Sequence, residues 1–175
     1  MYRATEPTLL TVPFQVDARG TFAKPYSGQS ETGSAFVTRE IFWTTSSAGT
    51  IRGLHFQTPP MAGSKLVWVS RGSVIDVVVD VRAHSRFGEV SHFDLSGDRG
   101  SALWVPVGFA HGFQALEDET IVNYAVDAPY VPANDTGVLW SSIEFEWPLP
   151  PGPVSQRDQG FVALKDFSSP FEVAP

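Results

Sequence analysis

Short runs of β-branched and aromatic residues recur along the chain, separated by glycines and prolines. Such runs are typical of strands, and the scattered glycines and prolines leave room only for short helices. The apolar run from Val74 to Val81 predicts a strand that is buried on both faces. The clearest predicted strands are Ala35–Trp43, Lys65–Ser70, Ser73–Arg82, Val90–Leu95, Ala102–Pro106, Gly112–Leu116 and Thr120–Val126.

Many short strands without a long helix indicate an all-β sandwich or barrel, and a cupin-like jelly-roll with short peripheral helices fits best. Arg71-Gly72 and Glu117-Asp118-Glu119 separate neighbouring predicted strands and are expected to form tight hairpin turns. We expect a single domain over residues 1–175. Its proline-rich end, about 148–175, should run over the surface as an ordered arm.

The composition of the chain argues against several classes of function. The 175 residues are 42% hydrophobic and 18% charged, as in a globular domain. A net charge of −7 argues against a general nucleic-acid surface but not against one small anionic ligand. Without cysteine the chain forms no disulfide or thiolate metal site. It has no signal-like start and no apolar run near the ~20 residues of a membrane span, so we expect a cytoplasmic protein.

Arg52 and His55 form the first candidate constellation, in the segment Gly49–Gln57. Arginine is a permanent cation suited to phosphate or an enolate oxygen, and histidine takes and returns protons near neutral pH. Their odd spacing would put them on opposite faces of a strand, so a bend near Gly53 is needed to bring them together. The alternative is an arginine on a loop and a histidine that caps a core strand.

His111 belongs to a stretch that matches the second half of the cupin metal signature, with Pro106 and Gly108 at the expected spacing. The first half normally holds two histidines and a glutamate, but here it reads His55-Phe56-Gln57. A mononuclear site usually needs three or more protein ligands. We therefore expect a cupin-like barrel with no metal, in which His111 is a hydrogen-bonded supporting residue.

Tyr124 and Lys65 are two further candidates. A tyrosine that points into a barrel can protonate a carbanion from the face opposite a histidine, although core packing is an alternative for Tyr124. Lys65 follows the turn Met61–Ser64 and, aimed inward, would stabilise negative charge on an oxygen. Its alternative is a solvated surface charge.

Taken in order, these stretches resemble the dTDP-4-dehydrorhamnose 3,5-epimerase family. The resemblance covers nearly the whole chain, and the ordered set is specific although each piece is modest. The pieces are Phe14–Phe22, Arg52–Gln57, Lys65–Val67, Gly72–Arg82, Trp104–Phe113, Tyr124, Gly137–Trp140, Trp147-Pro148 and Val154–Asp158.

The resemblance implies a homodimer that uses no metal or organic cofactor and acts on a nucleoside diphosphate 4-keto-6-deoxy sugar. The charge and the lack of a long apolar run predict no nucleic-acid or membrane partner. His55 resembles the family's general base, and Asp158, which fits the motif better than Asp166, resembles the acid that orients it. Tyr124 resembles the acid on the other face and Lys65 the residue beside the developing enolate. The residues it implies around the substrate are Arg19, Phe22, Lys24, Glu40, Phe42, Arg52, Gln57, His111 and Tyr130.

Three positions depart from the family pattern. Lys24 stands where the family usually has glutamate, and Glu40 and Phe42 replace a Gln-x-Asn pair near the nucleotide. Together with the closing segment Asp166–Phe171, these differences favour a sub-branch that acts on other nucleotide sugars. GDP- or CDP-linked 4-keto sugars, including heptoses, are candidates, so the nucleotide and the sugar length stay open.

The implied chemistry removes and returns a proton next to a ketone, through an enolate, at C3, C5 or both. A 3,4-ketoisomerase would use the same chemistry, although the presence of both His55 and Tyr124 favours epimerisation. A non-catalytic nucleotide-sugar binding module is the third interpretation. It would keep Arg19 and Arg52 but would not need a base with its own carboxylate and an opposing tyrosine.

Overall fold

The computed structural model describes residues 5–26, 36–84 and 86–171. Helices in this part of the chain are short: α1 (Gln156–Gln159) and two 3₁₀ turns, Trp140–Ser142 and Leu164–Asp166. None of the described helices has the length and apolar character needed to cross a membrane. The strands are β1 (Thr8–Thr11), β2 (Phe14–Asp17), β3 (Gly20–Ala23), β4 (Glu40–Ser46), β5 (Ile51–Gln57), β6 (Lys65–Arg71), β7 (Ser73–Asp80), β8 (Val90–Ser96), β9 (Ser101–Val105), β10 (Phe109–Ala115), β11 (Thr120–Val126) and β12 (Asp135–Gly137).

Two five-stranded sheets and a separate hairpin contain all the described strands. The first sheet has the order β1-β9-β6-β11-β4, the second β12-β5-β10-β7-β8, and β2 pairs with β3 alone. Val67 and Val122 of the first sheet pack with Val78 and Phe113 of the second in a shared core. From β4 to β12 the chain alternates between two packed antiparallel sheets except at β7 and β8, which pair in the second sheet. The prediction of an all-β, cupin-like jelly-roll is confirmed.

The two predicted hairpin turns are wrong, because each connection joins strands of different sheets. Gly72 carries the chain from β6 to β7, and residues 116–119 carry it from β10 to β11. Gly72 has a φ of 72°, and a Cβ there would lie 2.3 Å from the Thr120 hydroxyl oxygen. A tight glycine turn can therefore serve a crossing between sheets as well as a hairpin, and local sequence does not separate the two.

The predicted strand bounds agree best with the observed ones where apolar residues are dense. The prediction Ala35–Trp43 corresponds to β4, which begins at Glu40, and Ala35 itself lies outside the described residues. The predicted strand from Gly112 begins earlier, at Phe109.

Strands β1, β2, β3, β5 and β12 were not among the clearest predicted strands. Four of them are short, and their partly exposed residues give a weak apolar signal. In β5, Arg52, Gly53 and His55 interrupt the apolar run.

Strand β7 is buried on both faces, as predicted. Val74 and Val78 face the core between the sheets. Val77 and Val79 face the other way, against a second cluster that contains Ile143 and residues of the C-terminal segment. Burial of each such valine stabilises the fold by roughly 1.5–3 kcal/mol.

The described part of the predicted C-terminal arm, residues 148–171, is ordered against the second sheet; 172–175 lie outside the described residues. The side-chain amide of Gln114 donates to the carbonyl of Leu149 at 2.9 Å. The backbone N–H of Ile51 donates to the carbonyl of Pro153 at 3.2 Å. These bonds guide the segment along β5 to α1, beside the cavity described next.

Candidate active site

A β-bulge in β5 puts Arg52 and His55 on the same side of the strand. Between these residues β5 has one residue more than its partner β10, so the register shifts. Gly53 in the bulge has a φ of 136°, and a Cβ there would lie 2.6 Å from the Cα of Gly112. Only glycine meets both conditions. The predicted bend near Gly53 is confirmed, and Arg52 and His55 line one cavity.

This cavity lies between the sheets and has two lobes that share lining residues. The first lobe, of about 650 Å³, is lined by His55 of the second sheet and Tyr124 of the first, among others. The second lobe, of about 430 Å³, extends toward Glu40 and Tyr130. Residues that line both lobes are Phe42, His55, Lys65 and Arg157.

Asp158 is the hydrogen-bond partner of His55. Its Oδ1 lies 2.9 Å from His55 Nε2, and its Oδ2 accepts the Gly53 N–H at 3.1 Å. Ser155 caps α1 by accepting the Asp158 N–H at 3.1 Å, which fixes the carboxylate at the cavity wall. Burial alone would raise the pKa of Asp158. The hydrogen bonds from His55 and Gly53 outweigh that effect, so the pKa of Asp158 lies below its usual value. Asp166, the alternative partner, is exposed.

His55 is held as a neutral imidazole near neutral pH. Burial lowers its pKa below the ordinary 6.5, and the hydrogen bond and charge of Asp158 offset only part of that effect. The ring's contacts in the described part of the chain, to Asp158 and Arg157, both involve Nε2. A carboxylate only accepts, so Asp158 favours the tautomer with the proton on Nε2, and in that tautomer the donor-only guanidinium of Arg157 hydrogen-bonds Asp158 rather than the ring. The Nδ1 lone pair is then left for a substrate proton.

Tyr124 is kept in its protonated form. Its ring stacks on Phe42 with centroids 4.7 Å apart, and its edge meets His111 at 6.2 Å. Burial, helped by the charge of Asp76, raises the pKa of Tyr124 well above its ordinary value of 10. A phenol in this state can donate a proton at neutral pH.

His111 is hydrogen-bonded, as predicted, and its partner is a residue that the sequence did not point to. His111 Nε2 lies 2.9 Å from Asp76 Oδ2, and both side chains are buried. Burial raises the pKa of Asp76, and the neighbouring His111 and Lys65 offset part of that effect. A signal was available, because a carboxylate inside a strand that is buried on both faces must have a partner.

Lys65 points inward rather than into solvent. Its Nζ donates to the backbone carbonyl of His55 at 3.1 Å. Burial lowers the pKa of Lys65 to about 8, with Asp135 and Asp76 opposing the shift. The side chain is therefore an ammonium at neutral pH, beside the imidazole.

Arg157 is a second site residue absent from the sequence-based prediction. Its Nη2 lies 2.8 Å from His55 Nε2, and its Nε donates to Asp158 Oδ1 at 3.3 Å. The guanidinium also pairs with Asp135 and lies over the Phe161 ring, 5.7 Å from its centroid. Its position directly before Asp158, within the segment Val154–Asp158, was the available signal.

Three predicted substrate contacts take different places in the cavity. Arg52 lines the first lobe and donates to Ser46 Oγ at 3.0 Å. Glu40 lines the second lobe, where its Oε1 accepts the N–H of Tyr130 at 2.9 Å. Gln57 also lines the second lobe.

Arg19, Phe22 and Lys24 are not brought to the cavity of their own chain. Arg19 and Phe22 lie on the β2–β3 hairpin and Lys24 directly follows it, and none of the three lines either lobe. Arg19 instead pairs with Asp17 at 2.6 Å, with its side chain 90% exposed. The hairpin pairs with neither sheet, so nothing directs these side chains inward.

The two histidines of the cupin signature are each paired with a carboxylate. His55 and His111 lie opposite each other on β5 and β10, with Asp158 and Asp76 as their respective partners. Within residues 5–26, 36–84 and 86–171, no group of three or more such side chains is arranged to hold a metal ion. That a metal is not needed remains a prediction.

Comparisons with known proteins agree with this architecture. The family model described as dTDP-4-dehydrorhamnose 3,5-epimerase matches residues 4–166. A relative of that name from Sinorhizobium fredii is 46% identical over 107 residues, which are 59% of this chain and 55% of the relative. The match thus spans little more than half the length of that relative.

Two solved structures are similar over most of the chain. The dTDP-4-dehydrorhamnose 3,5-epimerase from Bacillus anthracis, with TDP and PPi bound, is 37% identical at a TM-score of 0.85 and covers 90% of this chain and 93% of its own. The dTDP-6-deoxy-D-glucose-3,5-epimerase from Legionella pneumophila, in complex with dTDP-4-keto-L-rhamnose, is 26% identical at a TM-score of 0.89. That match covers 99% of this chain and 98% of its own.

Proposed function

The chain belongs to the dTDP-4-dehydrorhamnose 3,5-epimerase family, and we propose that it epimerises a nucleoside diphosphate 4-keto-6-deoxy sugar at C3, C5 or both, in deoxysugar biosynthesis. The observation that carries the proposal is the shared cavity of His55 and Tyr124, which extend from opposite sheets. The nucleotide ligands named for the two solved relatives support a nucleotide-sugar substrate.

In the proposed mechanism, His55 Nδ1 takes a proton from the carbon next to the ketone. The C–H electron pair delocalises onto the carbonyl oxygen, and the ammonium of Lys65 stabilises the enolate charge. Asp158 stabilises the imidazolium that forms. The Tyr124 hydroxyl then returns a proton to the opposite face of the same carbon. Solvent takes the proton from the His55 imidazolium and supplies one to the Tyr124 phenolate, which restores both groups. General acid–base catalysis contributes roughly 10²–10⁴-fold, so charge stabilisation must supply much of the remaining rate.

One experiment separates this function from its rivals. The protein is incubated in heavy water with a nucleoside diphosphate 4-keto-6-deoxy sugar, and the ring protons are followed by NMR. Deuterium at C3 or C5 with inversion supports epimerisation, whereas a migrated carbonyl supports a 3,4-ketoisomerase. Binding without exchange for any such sugar supports a non-catalytic binding module. We expect a chelator to leave the exchange rate unchanged, because the proposed reaction uses no metal or organic cofactor.

Tyr124→Phe is expected to slow inversion more than proton loss. The change removes the hydroxyl that returns the proton, yet keeps the ring that stacks on Phe42. The ratio of deuterium wash-in to inverted product, measured in the same NMR series, should therefore rise. Equal slowing of both steps would contradict the role given to Tyr124.

The pH profile of kcat/KM should be bell-shaped. Neutral His55 is needed, and because its pKa lies below 6.5 the acidic limb should fall below that pH. The Lys65 ammonium is lost as pH rises through about 8, which sets the basic limb. Tyr124 has a raised pKa and should not titrate in this range. In Lys65→Arg, which stays charged, the basic limb should disappear; an unchanged limb would show that another group causes it.

A homodimer is proposed as the working assembly of this single domain, with the cytoplasm as its location. Exposed apolar side chains support the homodimer. Ile41 and Trp43 on β4 are 66% and 68% exposed, and Val16 and Phe22 on the hairpin are 70% and 53% exposed. A dimer would also give Arg19 a partner cavity to reach. Sedimentation should give twice the chain mass of 19.1 kDa, and a monomer at assay concentration would contradict this.

A further inference from the structure

The walls of the second lobe suit a planar, uncharged group. Phe56, Val126, Ala128 and the Tyr130 ring supply apolar surface. The acid–base residue Tyr124 lines the first lobe and not the second. If the reacting sugar occupies the first lobe, the rest of a nucleotide sugar must extend past the residues that line both lobes.

The residues shared by the lobes include the cation Arg157, which suits a diphosphate at that point. Its side chain is 48% exposed, whereas Lys65, the other shared cation, is assigned to the enolate oxygen. A diphosphate at this junction would leave the nucleotide base in the second lobe. This assignment rests on the proposed function, because it takes the ligand to be a nucleotide sugar.

The polar groups around that base position are mostly occupied. The Gln57 amide nitrogen donates to Met61 and Pro129 carbonyls at 3.0 Å each, and its oxygen accepts the Val131 N–H at 2.7 Å. Gln57 therefore fixes the surrounding loops and has little capacity left for a ligand. The Tyr130 hydroxyl donates to Asp135 at 3.4 Å.

Glu40 is different, because only one of its carboxylate oxygens has a hydrogen-bond partner among the described residues. Oε1 accepts the Tyr130 N–H at 2.9 Å, which orients the carboxylate. Oε2 is left without a partner in this part of the chain, and it can accept but cannot donate while the group is ionised. A base that is bound here must present hydrogen-bond donors.

We propose that Glu40 makes the site selective for a nucleotide whose base carries an amino group on its hydrogen-bonding edge, such as guanine or cytosine, over thymine or uracil. Guanine offers adjacent N1–H and amino donors to a carboxylate, and cytosine offers its amino group. Thymine and uracil have a single N3–H between two carbonyl oxygens, which a carboxylate repels. Setting two acceptors against each other in place of a hydrogen bond to a charged group is expected to lower affinity by about tenfold or more.

Calorimetric titration with matched 2′-deoxynucleoside diphosphates tests the proposal. Since dGDP, dCDP, dTDP and dUDP share one sugar and one diphosphate, differences in Kd report the base. We expect dGDP or dCDP to bind the full-length protein at least about tenfold more tightly than dTDP and dUDP. The comparison of dGDP with dCDP identifies which amino-bearing base is preferred.

Glu40→Gln is the informative variant, because its amide can still accept the Tyr130 N–H while adding a donor. We expect the preference to fall to about threefold or less, or to reverse toward dTDP. Glu146→Gln makes the same change at an exposed position that lines neither lobe and should keep the wild-type preference.

Two results would overturn the selectivity of Glu40: dTDP binding as tightly as both dGDP and dCDP, or an unaltered preference in Glu40→Gln. The failures of the two proposals remain distinguishable. The expected base preference without isotope exchange on any 4-keto sugar would remove the epimerase proposal alone. Exchange with tightest binding of dTDP would remove the selectivity proposal alone.

Discussion

His55→Ala is expected to abolish deuterium incorporation at C3 and C5 and to lower the rate of inversion by about 10²–10⁴-fold or more. The imidazole lines the first lobe, its pKa is lowered, and its Nδ1 has no hydrogen-bond partner among the described residues. Without it, Asp158 remains hydrogen-bonded to the bulge but has no ring to orient. The measurement is the same NMR time course in heavy water, compared with the wild type.

His92→Ala is the matched control. His92 lies on β8, is exposed, and lines neither lobe, so exchange should proceed at the wild-type rate. Nucleotide binding by His55→Ala should be largely kept, which separates a lost base from a lost fold. Exchange that persists in His55→Ala would mean that another group removes the proton.

Asp158→Asn is expected to cost about 10²–10⁴-fold in rate while leaving the fold nearly intact. The asparagine oxygen can still accept the Gly53 N–H, which Asp158 Oδ2 accepts in the wild type at 3.1 Å. Its amide nitrogen would donate to His55 Nε2 and so stabilise the ring with its proton on Nδ1. That tautomer has no lone pair for the substrate.

The tautomer itself can be observed, because nitrogen chemical shifts of a ¹⁵N-labelled imidazole distinguish a protonated from a bare ring nitrogen. In Asp158→Asn the proton should move from Nε2 to Nδ1. Asp166→Asn, at an exposed position, should change neither the spectrum nor the rate. Full activity of Asp158→Asn would show that the carboxylate does not orient the base.

Much of the fold was predictable, because strands that are covered on both faces of a sheet contain dense runs of apolar residues. The run Val74–Val81 predicted a strand buried on both faces, and β7 has that burial. The sheet to which each strand belongs was not predictable from local turns: the Gly72 turn is as tight as a hairpin turn but connects different sheets. The choice of sheet for each strand depends on contacts between residues that are far apart in the chain.

The site was predictable where several chemically suited residues stand in a specific order along the chain. His55, Tyr124, Lys65 and Asp158 all line one lobe, although they come from four separate segments. Arg157 was missed because it is a charged residue in a polar helical turn, where a surface position is the ordinary expectation.

Asp76 was missed because its partner lies on another strand, and a single sequence does not reveal such pairs. Arg19 and Lys24 were expected near the ligand, yet they lie on or beside a hairpin outside the cavity of their own chain. Sequence similarity marks a residue as part of a site without saying which copy of the chain the site belongs to. That distinction needs the spatial position of the hairpin.

The C-terminal segment carries both a layer of the core and the partner of the base. Its aromatic residues cover the outer face of the second sheet, and α1 presents Asp158 to His55. The tautomer of the imidazole is therefore fixed only once this segment has packed on the sheet. A substitution that loosens the aromatic layer would then weaken the proposed base as well as the core, although it lies outside the cavity.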